Sequence, residues 1–130
     1  MSDRPTAEHE FTRRPFTVAV CGGCDRDPAL MSQLRAVVKR CTHGVLVETH
    51  CLLGKFACTT LAPMRGAILL LQPCNFERVP IASVQWIGPV RTDLDAQLAC
   101  AWIAAGVWDG QLLPRHLRAE LNVAALARNN

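Results

Sequence analysis

The feature that most constrains this chain is a pair of short apolar runs with one amphipathic segment between them. Residues 16–20 form an apolar, β-branched run that ends at Cys21, and residues 45–48 form the second run. Runs of this length and composition are typical of buried strands. The intervening segment has its apolar residues at helical spacing, and it opens with Asp27 and Pro28, a typical helix start. The sequence therefore predicts a strand, a helix and a strand.

Such a unit has parallel strands, because strand–helix–strand connections within one sheet are almost always right-handed crossovers. The carboxyl ends of both strands then meet at one edge of the sheet. Cys21 and Cys24 follow the first strand, and Cys51 and Cys58 follow the second. The first pair also precedes a helix N-terminus, which favours the thiolate form of cysteine. Four thiolates in neighbouring loops would suit an all-cysteine [2Fe-2S] cluster or a tetrahedral zinc ion.

The rest of the chain predicts two further strands and two further helices. Residues 67–72 and 83–90 form strands whose connection is too short for a crossover helix, so we expect an antiparallel hairpin. Thr92 caps the next helix and Gly106 ends it. A final helix is predicted over residues 114–128. The apolar face predicted for the helix after Thr92 consists of Leu94, Leu98, Ala101, Trp102 and Ala105.

This order predicts an α/β fold, a thioredoxin-like β-α-β-β-β-α sandwich with an extra C-terminal helix. We expect residues 1–15 to be an N-terminal tail and residues 16–130 to be a single domain. No apolar run approaches the roughly 20 residues needed to span a bilayer, and the polar N-terminal region lacks the apolar segment of a secretory signal. We therefore expect a cytoplasmic protein that does not bind membranes.

Composition narrows the function classes. Seven cysteines in 130 residues, an odd number in a core-rich chain, favour metal binding or redox chemistry over structural disulfides. The net charge of +3 comes from basic residues spread along the chain, which argues against nucleic-acid binding and is compatible with an acidic protein partner. No Ser/His/Asp pattern, P-loop or dinucleotide fingerprint is present. Asp93 and Asp95 are interpreted as helix-dipole residues, and His116 has no functional context.

The remaining cysteines have other predicted roles. Cys41 and Cys100 fall on helical segments and are expected in the core, whereas Cys74 follows the third strand at the far edge of the sheet. Either His50, which adjoins Cys51, or Cys41 remains an alternative for one of the four ligands.

With its motifs VAVCGGC, GVLVETHC, AILLLQP, SVQWIGPV and DLDAQLACAWIAAG, the chain resembles the thioredoxin-like [2Fe-2S] ferredoxins, in particular those of actinobacteria. The resemblance covers residues 17–106. It implies a one-electron carrier that serves a redox partner protein, with cluster ligands at Cys21, Cys24, Cys51 and Cys58. The second cysteine pair of that family is usually C-x3-C, whereas this chain has C-x6-C.

Two other functions remain open on the residues alone. The chain could be an enzyme, a thiol–disulfide oxidoreductase that uses Cys21 and Cys24. It could also be an adaptor in which the four cysteines hold a structural zinc ion. The sequence leaves the oligomeric state open, a homodimer included.

Overall fold

The computed structural model describes residues 11–21, 28–49 and 66–119. Within these ranges the chain forms four strands and two α-helices in the predicted β-α-β-β-β-α order, which confirms the mixed α/β class. The elements are β1 (Phe16–Cys21), α1 (Pro28–Arg40), β2 (Gly44–Thr49), β3 (Ala67–Pro73), β4 (Gln85–Val90) and α2 (Asp93–Ala105). None of the helices described is long and apolar enough to cross a membrane.

The four strands form one mixed sheet in the order β2-β1-β3-β4. β1 and β2 are parallel, and their register runs from Phe16 beside Gly44 to Cys21 beside Thr49. β3 is antiparallel to β1, and β4 is antiparallel to β3. The predicted parallel pair and the predicted hairpin are therefore both confirmed.

The core lies between the two helices and one face of the sheet. Strand side chains alternate between faces, so Phe16, Val18 and Val20 of β1 point to the same side, and all three are fully buried. Leu69 of β3 shares this core. The ring of Phe16 packs edge-on against Trp108, with the ring centroids 5.4 Å apart. The apolar, β-branched run that predicted β1 thus forms a strand with one face in this core.

Helix α2 begins and ends where predicted but buries a different face. The Thr92 side chain accepts a hydrogen bond from the Asp95 backbone N–H at 3.0 Å, and Gly106 adopts the left-handed conformation at φ 78°. Trp102 is buried as expected, but Leu94 is 61% exposed. Ala101 and Ala105 are also exposed, and Leu98 is only half-buried. The buried face consists instead of Asp95, Ala96, Ala99, Cys100, Trp102, Ile103 and Ala104. It is rich in small residues, which permit close packing of a helix.

The predicted C-terminal helix is wrong in its first turn. Arg115–Leu117 form a 3₁₀ turn, and Arg118 then pairs with Ile87 of β4 as an isolated antiparallel bridge. The Arg118 guanidinium donates hydrogen bonds to the carbonyls of Leu113 and Gln111 at 2.9 and 2.8 Å, which holds these turns in place. An edge strand offers unpaired backbone groups, and the bridge to β4 goes with an extended backbone at Arg118, so an α-helix does not begin at Pro114; Ala119, the last described residue, is helical. Residues 120–128 of the predicted helix lie outside the described residues.

The end of the predicted N-terminal tail packs against α2. The Thr12 backbone N–H donates to the Ala104 carbonyl at 2.7 Å. The Arg14 guanidinium lies 4.4 Å from the ring centroid of Trp108 and donates to the Gly106 carbonyl. Residues 11–15 are therefore anchored at the C-terminal end of α2, and residues 1–10 lie outside the described part.

Candidate functional site

The carboxyl ends of β1 and β2 lie side by side. Cys21, the last residue of β1, is the register partner of Thr49, the last residue of β2. Neighbouring strands in a sheet are about 4.8 Å apart. At this edge the Thr49 hydroxyl approaches the Val20 carbonyl at 3.5 Å, which is long for a hydrogen bond. Two chain segments thus leave the sheet from adjacent points.

The predicted ligands are distributed along these two segments. Cys24 follows Cys21 by three residues, and Cys51 follows Thr49 by two. Covalent geometry limits those separations to about 11 and 7 Å. Cys24, Cys51 and Cys58 lie outside the described residues, as do His50 and the side chain of Cys21. The register therefore brings together the points from which the cysteine segments depart, and Cys21 is the predicted ligand whose backbone is described.

Helix α1 starts at the same edge of the sheet. It begins at Pro28, seven residues after Cys21, and returns the chain to the start of β2. A helix N-terminus carries partial positive charge, so it stabilises thiolates and other anions nearby. The start of α1 at this edge would therefore favour the thiolate form of cysteines close to it.

The cysteines outside the four predicted ligands are buried and have free thiols. Cys41 is 3% exposed and Cys100 is 7% exposed, which confirms their predicted core positions. Burial raises the pKa of the Cys41 thiol, against a smaller lowering by a backbone hydrogen bond from Thr12. Burial also raises the pKa of Cys100 to about 11. Both thiols are therefore protonated at neutral pH and poor nucleophiles.

Cys41 and Cys74 also lie at the end of the sheet opposite the predicted cysteine site. Cys41 follows the last residue of α1, a 13-residue helix about 20 Å long that starts at the edge near Cys21. This distance argues against Cys41 as a substitute ligand. The Cys74 backbone N–H donates to the Pro15 carbonyl at 3.2 Å, next to the start of β1. Cys74 thus lies at the far edge, as predicted.

One interacting pair was not anticipated from the sequence. The His116 Nε2 atom lies 2.7 Å from Oδ1 of Asp95, and the Arg91 backbone N–H donates to Oδ2 of Asp95 at 3.1 Å. The Asp95 side chain is 10% exposed and that of His116 is 60% exposed. The Thr92-x-x-Asp95 spacing indicated that Asp95 lies at a helix N-terminus. It gave no sign of His116, which lies 21 residues further along the chain.

The environment of Asp95 determines its charge state. Burial is the largest single influence and raises its pKa. The hydrogen bonds from His116 and from the backbone of Arg91 and Thr92, together with the charge of His116, outweigh burial, so that the net pKa falls below its ordinary value. Asp95 is therefore an anion at neutral pH, placed at the N-terminus of α2 where the helix dipole favours it. The pair orients the His116 imidazole and ties the turn that carries it to α2.

An open cleft of about 350 Å³ lies between the start of β4 and the turns after α2. Gln85, Trp86, Asp109 and Arg118 contribute to its walls. No group of three or more potential metal-binding side chains occurs within residues 11–21, 28–49 and 66–119. No protein-family model, curated protein or solved structure matches this chain.

Proposed function

We propose that this chain is a thioredoxin-like [2Fe-2S] ferredoxin, a one-electron carrier whose cluster is held by Cys21, Cys24, Cys51 and Cys58. The observation that carries the proposal is the parallel register that puts Cys21 beside Thr49. From these two adjacent points the chain enters the segments that hold the other three cysteines. Without that pairing, the two cysteine pairs would leave the sheet from unrelated places.

The donor set fits the proposed group in its chemistry. A [2Fe-2S] cluster takes four cysteine thiolates, and two pairs on two loops supply that number. The N-terminus of α1 at the same edge favours the deprotonated form of nearby thiols. The mixed sheet, with its βαβ unit followed by an antiparallel hairpin, supports the finer assignment of the fold as thioredoxin-like.

When bound, such a cluster supplies reversible one-electron transfer. The residues of this chain would hold it and tune its potential through hydrogen bonds to sulfur, burial and solvent access. Val18 and Val20, both fully buried behind the end of β1, would keep the protein side of the site dry. The electron would pass to a redox partner protein, and we propose a cytoplasmic setting for the exchange.

Ligand substitution tests this proposal. Single Cys→Ser changes at positions 21, 24, 51 and 58 should each lower the iron retained per chain after anaerobic purification, because each removes one thiolate. Cys74→Ser is the matched control, since Cys74 is buried at the opposite edge of the sheet. Equal iron content in all five variants would contradict the proposed ligand set. Retention after Cys58→Ser alone would point to another fourth ligand, with His50 the first to examine.

Two outcomes would support the other functions. Stoichiometric zinc lost on the same four substitutions would indicate a structural zinc site and an adaptor. A metal-free protein with a reversible Cys21–Cys24 disulfide would indicate a thiol–disulfide oxidoreductase.

A further inference from the structure

The loop between β3 and β4 presents large apolar side chains to solvent. Phe76 is 71% exposed, Val79 is 52% exposed and Ile81 is 58% exposed. We call residues 75–81 the apolar loop. Single exposed apolar residues are ordinary on a protein surface, but three within six positions of one loop form a patch that indicates an interaction site.

Hydrogen bonds hold the apolar loop in one conformation. The side-chain oxygen of Asn75 accepts from the backbone N–H groups of Glu77 and Val79 at 2.8 and 3.0 Å. The Ile81 backbone N–H donates to the Pro73 carbonyl at 3.2 Å. The ring of Phe76 meets His43 edge-on, with the ring centroids 4.8 Å apart. The backbone that carries the apolar side chains is thus ordered before binding, which lowers the entropy lost when a partner binds.

Arg78 fastens the loop to the start of the sheet. Its backbone is in the left-handed region at φ 67°, an unusual conformation for a residue with a long side chain. Its guanidinium donates to the carbonyls of Phe16 and His43 at 3.2 and 2.9 Å. A non-glycine residue keeps such a backbone conformation only where its surroundings enforce it, and such residues cluster at functional surfaces.

The apolar loop lies at the end of the sheet opposite Cys21. Pro73, the last residue of β3, is the register partner of Phe16, the first residue of β1. The six residues of β1 span roughly 17 Å between this end and Cys21. A partner bound to the apolar loop would therefore leave the cysteine edge accessible.

Among the described residues, the charged side chains at the apolar-loop end of the sheet are mostly positive. Arg13 and Arg14 precede Pro15, whose carbonyl accepts from the Cys74 backbone, and Lys39 and Arg40 end α1 just before β2. The carboxylates at this end are Glu77 in the loop and Asp109, which follows α2. Aromatic rings fix two of the arginines, because Arg14 stacks over Trp108 and Arg40 lies 5.3 Å from the ring centroid of Phe11. A positive rim around an apolar centre complements an acidic surface with an apolar pocket.

We propose that the apolar loop is the docking site for a partner protein that offers an apolar pocket bordered by carboxylates. The buried apolar contacts would supply most of the affinity, and the basic rim would steer association and set the register. A protein fits better than an anionic membrane, because the exposed Glu77 carboxylate lies within the apolar loop and would face a continuous negative surface there. This proposal does not depend on the cysteine site.

Site-specific photo-cross-linking tests the location of the docking site. A photoreactive phenylalanine analogue is placed at position 76 or 81 of the full chain in the source cells. The matched control carries it at position 94, where the native leucine is 61% exposed and lies in the first turn of α2, at the opposite end of the sheet from the apolar loop. We expect one protein to be captured at positions 76 and 81 and not at position 94, and mass spectrometry identifies it. Equal capture at all three positions, no capture, or capture only of a second copy of this chain would overturn the proposal.

Binding of the captured protein, once purified, tests the chemistry. Phe76→Ser and Ile81→Ser should each weaken Kd about tenfold or more, whereas Leu94→Ser should leave it unchanged. Affinity should also fall as NaCl rises from about 50 to about 300 mM, because salt screens the basic rim. Circular dichroism should be the same for all variants, since each changed side chain is exposed. A Kd insensitive to Phe76→Ser or to salt would overturn the proposal. So would Phe76-dependent binding to phosphatidylserine–phosphatidylcholine vesicles.

Discussion

Removal of the Asp95 carboxylate should destabilise the fold mainly through the helix N-terminus and only slightly through the His116 pair. The Asp95→Ala change removes an acceptor for the Arg91 backbone N–H and a negative charge at the first turn of α2. A hydrogen bond to a charged group contributes about 1.5–3 kcal/mol, and a carboxylate at a helix N-terminus contributes about 0.3–1 kcal/mol. We therefore expect Asp95→Ala to lower the free energy of unfolding by about 2–4 kcal/mol.

Two further variants separate these contributions. Asp95→Asn keeps the shape and an oxygen acceptor but loses the charge, so it should cost about 1–2 kcal/mol. His116→Ala should cost at most about 1 kcal/mol, because the His116 side chain is 60% exposed and solvent screens the pair. Urea unfolding followed by fluorescence of the three tryptophans measures all three values. A loss for His116→Ala as large as that for Asp95→Ala would refute this reasoning, because the exposed pair would then carry the effect.

The same carboxylate predicts how stability depends on pH. The folded-state pKa of Asp95 lies below its ordinary value of 3.8, so between those two values the unfolded chain binds more protons than the folded one. The stabilisation is fully present above the ordinary pKa and is lost as pH falls through the folded-state pKa. The free energy of unfolding should therefore fall more steeply with acid for the wild type than for Asp95→Asn. Parallel curves for the two proteins below pH about 4 would contradict this assignment.

Further perturbations probe packing and thiol chemistry. Gly106→Ala should lower the free energy of unfolding by about 2–4 kcal/mol in the same urea assay, because its Cβ would overlap the Thr12 hydroxyl in a left-handed backbone conformation. Gly110→Ala is the matched control, since its Cβ would meet its nearest neighbour at an ordinary 3.5 Å. Equal losses for the two would be inconsistent with this packing. Cys100 should resist alkylation by iodoacetamide at pH about 8 until urea unfolds the chain, because its pKa is about 11. Rapid labelling of native Cys100, read by peptide mass spectrometry, would show that this thiol is not protected.

The sheet could be predicted from the sequence because its signals are local. Short β-branched runs bounded by glycine, proline and polar residues predicted all four strands to within two residues of their observed bounds. The parallel pairing of β1 and β2 followed from the crossover rule and needed no knowledge of contacts. Pro28 correctly predicted the start of α1.

The buried face of α2 was wrongly predicted because periodicity there carries little information. The helix is apolar on nearly every side, so the spacing of Leu94 and Leu98 suggested one face while packing selected another. Ala96 and Ala99 belong to the core cluster that α2 shares with the sheet and α1, and their small side chains permit close packing. Leu94 is exposed because tertiary packing decides which face of α2 is buried, and the spacing of apolar residues does not reveal that face.

The cysteine site and the Asp95–His116 pair also differ in whether local sequence signals predict them. The juxtaposition of the two cysteine segments required only the prediction that β1 and β2 are parallel neighbours. The Asp95–His116 pair was missed because it joins residues 21 apart and depends on the 3₁₀ turn at Arg115–Leu117, where a helix was predicted. Asp95 itself was correctly interpreted as a helix-dipole residue, and its second role depends on where the chain runs after α2.

The most direct test of the central proposal is the visible absorption spectrum of the anaerobically purified chain, measured with its iron and zinc content. We predict broad bands between roughly 300 and 600 nm and about two irons per chain, as four thiolates at the ends of β1 and β2 would give. A colourless protein with one zinc per chain, or one with no metal at all, would contradict the proposed electron carrier.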